Sequence, residues 1–149
     1  MQLHFDLPEI DRDATKKVVE SILEKYRLYS LQLSLDKLPS VTAKYTLVPP
    51  SPSLPSSSTE TAALANVDYE RERAKFIEVM LRAVNRLSNE ERKLIILRYL
   101  EENEEFDYQV YAKLNISERQ YYRLKARAFY KLAFALKIEV YKEKEVSAS

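Results

Sequence analysis

The 149-residue chain carries 24 Lys and Arg against 23 Asp and Glu, so its net charge is +1, and it has one His, no Cys and no Gly. Without Cys there are no disulfides or thiolate metal sites, and a single His argues against zinc binding and His-based catalysis. The lack of Gly excludes glycine-rich phosphate loops and removes the usual residue of tight hairpins, which favours an all-α fold.

The sequence also argues against a membrane or secreted protein and against an enzyme. No segment approaches the 18 consecutive apolar residues of a membrane helix, and no signal peptide is visible, so we expect a cytoplasmic protein without a membrane partner. The tyrosines lack the Arg and His cluster that a tyrosine nucleophile needs, and no pocket separates paired carboxylates. We therefore expect no enzyme activity, no metal and no cofactor.

The first 37 residues are predicted to form an N-terminal helical arm. Its helix runs from Leu7 to about Leu33, and Asp11 or Asp13 can start it. One face of this helix is an apolar stripe formed by Val18, Val19, Ile22, Tyr26 and Tyr29. A lone helix cannot bury such a stripe, so it must dock on the rest of the chain, pair with a second copy or bind a partner.

Residues 38–65 are predicted to form a mobile or extended linker rich in Pro and Ser. They contain the five prolines Pro39, Pro49, Pro50, Pro52 and Pro55. Within them, Val41–Val48 alternates apolar and polar residues and could form one short strand.

Residues 66–141 are predicted to form a compact helical domain. An amphipathic helix runs from near Asn66 to about Arg86, and Ser88 with Glu91 forms a capping box that starts the next helix. That helix contains the apolar run Leu94–Leu97 and should be the central buried helix. An acidic loop follows, with Glu101, Glu102, Glu104 and Glu105. It is either a solvated surface or a contact for a basic partner.

A helix-turn-helix pattern occupies Phe106–Leu132, with the sequence FDYQVYAKLNISERQYYRLKARAFYKL. The first helix should end at Leu114, where Asn115 can adopt the left-handed conformation usually taken by Gly. Ser117 and Gln120 form a second capping box that starts the next helix, and Ile116 turns inward. This last helix should continue to about Val140, a rod of roughly 35 Å at ~1.5 Å per residue, before a polar tail at residues 142–149.

The second helix of the pattern has an apolar stripe and a polar outer face. The buried stripe is formed by Tyr121, Leu124, Ala128 and Leu132. The candidate DNA-binding residues on the outside are Ser117, Glu118, Arg119, Gln120, Tyr122, Arg123 and Arg127. Arg and Gln can pair bidentately with guanine and adenine. Six basic residues between Ser117 and Lys137 face only one acid, which is the charge footprint expected for phosphate contacts.

Two segments carry a family resemblance. LSNEERKLIILRYL at Leu87–Leu100, followed by NISERQYYRLKARAFYKL at Asn115–Leu132, resembles the fourth region of bacterial sigma factors. Over nearly the whole chain, from LPEIDRDATKKVVESILEKYR at its start to SERQYYRLKARAFYKLAFALKIEVY at its end, the sequence resembles the ArpU family of phage transcriptional regulators. Tyr111 departs from the helix-turn-helix pattern, which usually has Ala there. Either Ala112 takes that place or the two helices sit further apart.

The resemblance implies a regulator of phage or prophage late genes, such as those for packaging and lysis. It would bind double-stranded DNA at a promoter, together with host RNA polymerase or as a homo-oligomer. We predict that the apolar stripe of the arm stays uncovered and contacts polymerase. Residues 1–37 should then be dispensable for folding and for weak DNA binding but required for transcription activation. Two alternatives remain: a DNA-packaging adaptor resembling a terminase small subunit, and a sigma mimic that only occupies polymerase.

Overall fold

A computed structural model describes residues 9–37 and 57–143 of the chain. These residues form five α-helices and one π-helical segment: α1 Arg12–Lys37, α2 Ser57–Asn85, α3 Asn89–Ile95, the π segment Ile96–Leu100, α4 Asp107–Leu114 and α5 Glu118–Leu136. Within these ranges the only β pairing is one bridge, between Ile10 and Tyr141. The all-α prediction is therefore confirmed for the described chain, whereas the possible strand Val41–Val48 lies outside the described residues.

The start of α1 is fixed by Asp11, one of the two residues predicted to cap it. The Asp11 carboxylate accepts a hydrogen bond from the backbone N–H of Ala14 at 3.0 Å, which satisfies one of the unpaired donors of the first turn. The helix continues to Lys37, four residues beyond the predicted end at Leu33.

The inner face of α1 is part of the core, so the prediction that its stripe stays uncovered is wrong. Val19 and Leu23 are each only 1 % exposed, and Tyr26 is also buried. The guanidinium of Arg27 donates to the backbone carbonyl oxygens of Tyr99 at 3.0 Å and Glu101 at 3.1 Å. These carbonyls lie at the end of the π segment and at its C-cap, where no further helical turn supplies a donor. Hence α1 docks on the rest of the chain, the first of the three alternatives.

Helix α2 begins earlier than its predicted start near Asn66. Residues 57–65 are helical although they were assigned to the Pro/Ser linker. The physical reason is the sequence TETAALA at Thr59–Ala65, which contains no proline and is rich in alanine, the strongest helix former. The linker prolines fall in residues 38–56, outside the described residues. At its other end, α2 buries Met80, Ala83 and Val84.

The start and the burial of the central helix α3 match the prediction, but α3 ends at Ile95, so Ile96 and Leu97 of the predicted apolar run lie in the π segment and are half-buried. The Ser88 hydroxyl accepts from Glu91 N–H, and the Glu91 carboxylate accepts from Ser88 N–H at 2.9 Å, so both halves of the capping box are formed. Leu94 and Ile95 are completely buried. After Ile95 the helix continues as the π segment, in which a backbone hydrogen bond spans five residues instead of four. There Glu101 N–H donates to the Ile96 carbonyl.

Helix α5 ends at Leu136 rather than near Val140, so the predicted 35 Å rod is wrong. Lys137 adopts the left-handed conformation (φ 59°, ψ 42°), and Ile138 N–H donates back to the Ala133 carbonyl at 2.9 Å. This Schellman-type turn buries part of Ile138 against the core. The chain then runs back along the start of α1.

The returning segment, residues 138–142, joins the two ends of the described chain. Asp11 N–H donates to the Val140 carbonyl at 2.8 Å, and Lys142 N–H donates to the Glu9 carbonyl at 2.8 Å. The Thr15 hydroxyl accepts from Val140 N–H at 3.0 Å. Lys142, the first residue of the predicted polar tail, is thus paired, while residues 144–149 lie outside the described residues. The returning segment holds the first turn of α1 against α5.

Candidate nucleic-acid interface

The turn between α4 and α5 has the local backbone conformation predicted for it. Asn115 is left-handed (φ 56°, ψ 45°), the conformation that Asn tolerates better than most residues. Its N–H donates to the Ala112 carbonyl, and Ile116 N–H donates to the Tyr111 carbonyl, both at 3.2 Å. These bonds end α4 without glycine, and the chain enters α5 after residues 115–117.

The second capping box sets the start of α5. The Ser117 hydroxyl accepts from Gln120 N–H, and the Gln120 side-chain oxygen accepts from Ser117 N–H, both at 3.1 Å. Ile116, just before the cap, packs against the core as predicted. Because the Gln120 oxygen is committed to the cap, only its NH₂ group remains to donate, so bidentate pairing with adenine would require the cap to open.

Aromatic rings pack between α4 and α5. Val110 is completely buried, as its predicted inward position requires. Ala112 is exposed and does not replace the alanine that is usual one position earlier. Instead the half-buried Tyr111 packs its ring against that of Tyr121, with centroids 5.5 Å apart. Two tyrosine rings thus occupy the space that a small residue usually leaves between these helices.

The candidate DNA-binding residues all lie at the surface. Exposed positions at the helix start and along α5 are Ser117, Glu118, Arg119, Gln120, Tyr122, Arg123 and Arg127. Arg119, Arg123 and Arg127 are spaced four residues apart and follow one side of the helix, which we call the arginine row. Among the described residues, no guanidinium of the arginine row makes a hydrogen bond or ion pair.

Two of the six basic residues counted in this region are not available to an external anion. The buried side chain of Lys125 donates to the Asp107 carboxylate at 3.2 Å. Lys131 donates to the Glu91 carboxylate at 2.8 Å. Both residues therefore hold α5 to neighbouring helices, and the outward charge of α5 lies mainly on the arginine row.

The Asp107 carboxylate is the centre of a polar cluster behind the exposed face. One of its oxygens accepts from Arg98 Nε at 3.0 Å, from the Tyr121 hydroxyl at 2.5 Å and from Lys125 Nζ. Burial alone would raise the pKa of Asp107, but the hydrogen bonds from Tyr121 and Lys125 and the charge of Lys125 hold it below its usual value. Burial and the bond to Asp107 raise the pKa of Tyr121, which keeps its hydroxyl a donor.

The Asp107 cluster joins three elements, since Arg98 lies in the π segment, Asp107 starts α4 and the other two residues lie on α5. The angle between the two helices of the motif is thereby fixed by charged hydrogen bonds as well as by packing. Sequence reasoning missed this cluster. The available signal was the position of Lys125, which follows Tyr121 by four residues and so falls on the same buried side of the helix.

The described ranges offer no group of three or more His, Cys, Asp or Glu side chains that could hold a metal ion. Nor does any helix within them combine the length and apolar character needed to cross a membrane.

Comparison with known proteins places the chain among phage proteins. It is 34% identical over 143 residues to the uncharacterized phage-related protein Lin1259/Lin1739 of Listeria innocua serovar 6a, covering 95% of this chain and all of that protein. It is 28% identical over 140 residues to Protein Gp66 of Listeria phage A118, covering 91% of this chain and 96% of that one. No family model and no solved structure matches the chain. With that identity over essentially its full length, the chain belongs to the family of phage-related proteins that includes Lin1259/Lin1739.

Proposed function

We propose that this protein is a sequence-specific DNA-binding transcription regulator that reads double-stranded DNA with α5. The observation that carries the proposal is the arginine row, three exposed guanidinium groups without an internal partner on the second helix of a helix-turn-helix. An unpaired Arg presents five donors in a planar fork, and that fork matches the guanine edge in the major groove and the phosphate oxygens beside it.

The spacing of the arginine row suits a DNA groove. Four residues along an α-helix span ~6 Å, which is about two steps of ~3.4 Å along one DNA strand. Arg119 lies in the first turn of α5, the end of a recognition helix that normally contacts bases. Arg123 and Arg127 follow at successive turns and would reach the next bases or the phosphates.

The biological role we propose rests on the family resemblance and on the phage relatives. A phage or prophage regulator resembling the ArpU family would activate late genes. A reading helix that resembles the fourth region of sigma factors suits a promoter occupied by host RNA polymerase. A chain of net charge +1 gains little long-range attraction to DNA. We therefore propose that polymerase, or a second copy of the chain, supplies the remaining affinity.

The proposal is tested first by finding the DNA. Immunoprecipitation of the protein from induced lysogenic cells, with sequencing of the bound DNA, should recover a common motif near late promoters. A duplex carrying that motif should then bind the purified protein more tightly than a shuffled duplex of the same composition. Equal binding to both duplexes, with tight binding to polymerase, would favour the sigma mimic. A molar mass from light scattering that corresponds to a ring of many copies would favour the packaging adaptor.

Substitutions in the arginine row form the second test. Arg119→Ala and Arg123→Ala should each weaken binding to the recovered duplex by roughly 5- to 150-fold, since a bidentate base contact is worth ~1–3 kcal/mol. Their melting temperatures should stay unchanged, because neither side chain has a partner within the described chain. Arg71→Ala, which removes an equally exposed arginine from α2, is the matched control and should bind normally. Normal binding by both row variants would place the DNA on another face.

A further inference from the structure

The outer face of α5 is bordered by a groove of about 560 Å³ whose other wall is the start of α1. From α5 the groove is lined by Tyr122, Lys125, Ala126, Arg127, Phe129 and Tyr130, and from the other side by Ile10, Arg12, Asp13, Thr15 and Lys16. Tyr122 and Tyr130 are each about half exposed, 46% and 48%, and lie on the same outward side of α5 as the arginine row. The groove is therefore continuous with the proposed DNA-reading face.

The groove is fixed in place by contacts of both walls. The returning segment holds the first turn of α1 through the Asp11–Val140 and Thr15–Val140 hydrogen bonds. Val19, one turn further along α1, is buried in the shared core. The distance from the start of α1 to α5 is thus set by the fold and does not depend on a flexible arm.

The wall formed by α1 presents two cations with no internal partner. Arg12 and Lys16 are four residues apart, both are exposed, and neither makes a hydrogen bond or ion pair within the described chain. On the α5 side Arg127 is equally unpaired, whereas Lys125 is bound to Asp107. Asp13 is the one carboxylate that lines the groove, so three available cations face one anion.

The positive wall is confined to the first two turns of α1. The adjoining groove, of about 350 Å³, shares Lys16, Tyr122 and Lys125 with the first. It is also lined by four carboxylates, Glu20, Glu24, Glu104 and Asp107, and by the cations Arg27 and Arg98, so its charges balance. A polyanion lying along the first groove would therefore be attracted at Arg12 and Lys16 and would gain no net attraction further along the helix. This loss of net positive charge gives the basic edge a defined end.

We propose that α1 forms a second wall of the DNA interface, in which Arg12 and Lys16 bind backbone phosphates of the strand beside the bases that α5 reads. The inference rests on the proposed function. A DNA backbone is the occupant that suits this groove, because it is an extended anion that must run alongside a helix placed in the major groove. Phosphate contacts of this kind fix the register of the protein on the duplex without reading sequence.

The test compares two doubly substituted proteins of equal charge. Arg12→Gln/Lys16→Gln removes the basic edge, and Lys17→Gln/Arg71→Gln removes two exposed cations that do not line the groove. Fluorescence anisotropy measures binding of each protein to the immunoprecipitated duplex and to its shuffled version at several salt concentrations. Thermal melting of the two variants establishes that both remain folded.

The expected result follows from counterion release. The slope of log K against log salt is negative, and each lost phosphate contact should make it less steep by ~0.9. At ~0.1 M salt, one lost contact corresponds to a loss of affinity of up to about eightfold. The groove variant should lose close to two such contacts, and by similar factors on both duplexes, because phosphates carry no sequence. The control variant should stay within about twofold of the wild type, because exposed charges away from the DNA are screened.

The outcomes separate this inference from the proposed function. If Arg123→Ala weakens binding while the groove variant matches its control, the inference is overturned and the proposed function stands. If the groove variant loses affinity for the recovered duplex alone, the two cations read bases, which also overturns the phosphate assignment. If the wild type binds neither duplex and Arg123→Ala changes nothing, the proposed function itself fails. If a synthetic acidic peptide binds the groove more tightly than DNA, the occupant is a protein segment and the inference is overturned.

Discussion

Asp107 shows how a single residue can fix the geometry of the motif. Its carboxylate accepts hydrogen bonds from three side chains on two other elements, and two of those donors are cations. A partly buried carboxylate with this environment is stabilising only while it is ionised. Replacing Asp107 by a neutral residue would leave Lys125 buried without a counter-charge. That lowers the stability of the fold more than replacing both Asp107 and Lys125 by apolar residues would.

We therefore expect Asp107→Asn to lower the free energy of unfolding by ~1–3 kcal/mol at neutral pH, since hydrogen bonds to charged groups contribute that much. Urea denaturation monitored by circular dichroism measures the change. Asp68→Asn, on the exposed surface of α2, is the control and should alter the stability by less than about 0.5 kcal/mol. Equal midpoints for the two variants would contradict a stabilising role for the cluster.

The same cluster predicts a dependence of stability on pH. The folded-state pKa of Asp107 lies below its ordinary value of 3.8, so at acid pH the unfolded chain binds more protons than the folded one. Its contribution is therefore complete above about pH 5 and is lost as the pH falls through 3.8 and below. The difference in stability between wild type and Asp107→Asn should shrink over that range. A difference that stays constant down to pH 2 would show that folding leaves the pKa of Asp107 unshifted, which would contradict the effect assigned to the cluster.

The sequence predicted which residues of α5 are exposed and which are buried, except for a charged residue that is buried. Exposed Arg119 and Arg123 and buried Tyr121 and Leu132 follow directly from a spacing of three and four residues. The burial of Lys125 could not be predicted in this way, because a lysine is normally expected to be exposed to solvent. Its burial is favourable only because the fold places the Asp107 carboxylate beside it. The binding role of the exposed residues remains a prediction.

Helix boundaries were predictable where a side chain caps the backbone. Ser88 with Glu91 and Ser117 with Gln120 form the expected capping boxes because their hydrogen bonds are local in sequence. The end of α5 was not predictable in the same way. Lys137 carries no sequence signal for a left-handed residue, and the turn is stabilised by the partners that it brings together, Ile138 with the core and Val140 with Thr15.

The conformation of Lys137 has a measurable energetic consequence. A side chain with a Cβ in the left-handed region costs ~1–2 kcal/mol, partly offset by the greater freedom that glycine has when unfolded. Lys137→Gly should therefore raise the free energy of unfolding by ~0.5–1 kcal/mol and the melting temperature by roughly 2–4 °C. Differential scanning calorimetry measures both.

The matched control is Lys75→Gly, the same substitution at an exposed position inside α2, where the backbone is right-handed. There glycine should destabilise by ~1 kcal/mol. Opposite signs for the two variants would support the left-handed turn at Lys137. A loss of stability in both would indicate that α5 continues through that position.

At the scale of the whole molecule, α1 is inseparable from the motif that it supports. Its apolar periodicity was visible in the sequence, but periodicity does not say what covers a face. The answer depends on the packing of α1, with Val19 and Leu23 buried, against the π segment and α5, which lie far along the chain. We accordingly no longer expect residues 38–143 to fold after removal of the first 37.

Substitutions within the full chain test this docking directly. Leu23→Ala, at a position 1% exposed, should lower the free energy of unfolding by about 2–5 kcal/mol. Leu28→Ala on the same helix is the matched control, because Leu28 is 54% exposed, and its change should stay within about 0.5 kcal/mol. Thermal melting with two spectroscopic probes gives both values. Similar small effects would mean that α1 is detached in solution.

The returning segment has a consequence for protein synthesis. Thr15 and Val140, which it joins, are 125 residues apart in the chain. A ribosome adding ~5–20 residues per second needs roughly 6–25 s to pass from one to the other. Until α5 is made, the part of the apolar face of α1 that α5 covers stays exposed, and exposed apolar surface makes a nascent chain a substrate for chaperones and proteases. A product truncated before α5 keeps that part of the face exposed, so we expect it to be degraded faster than the chain translated through Val140.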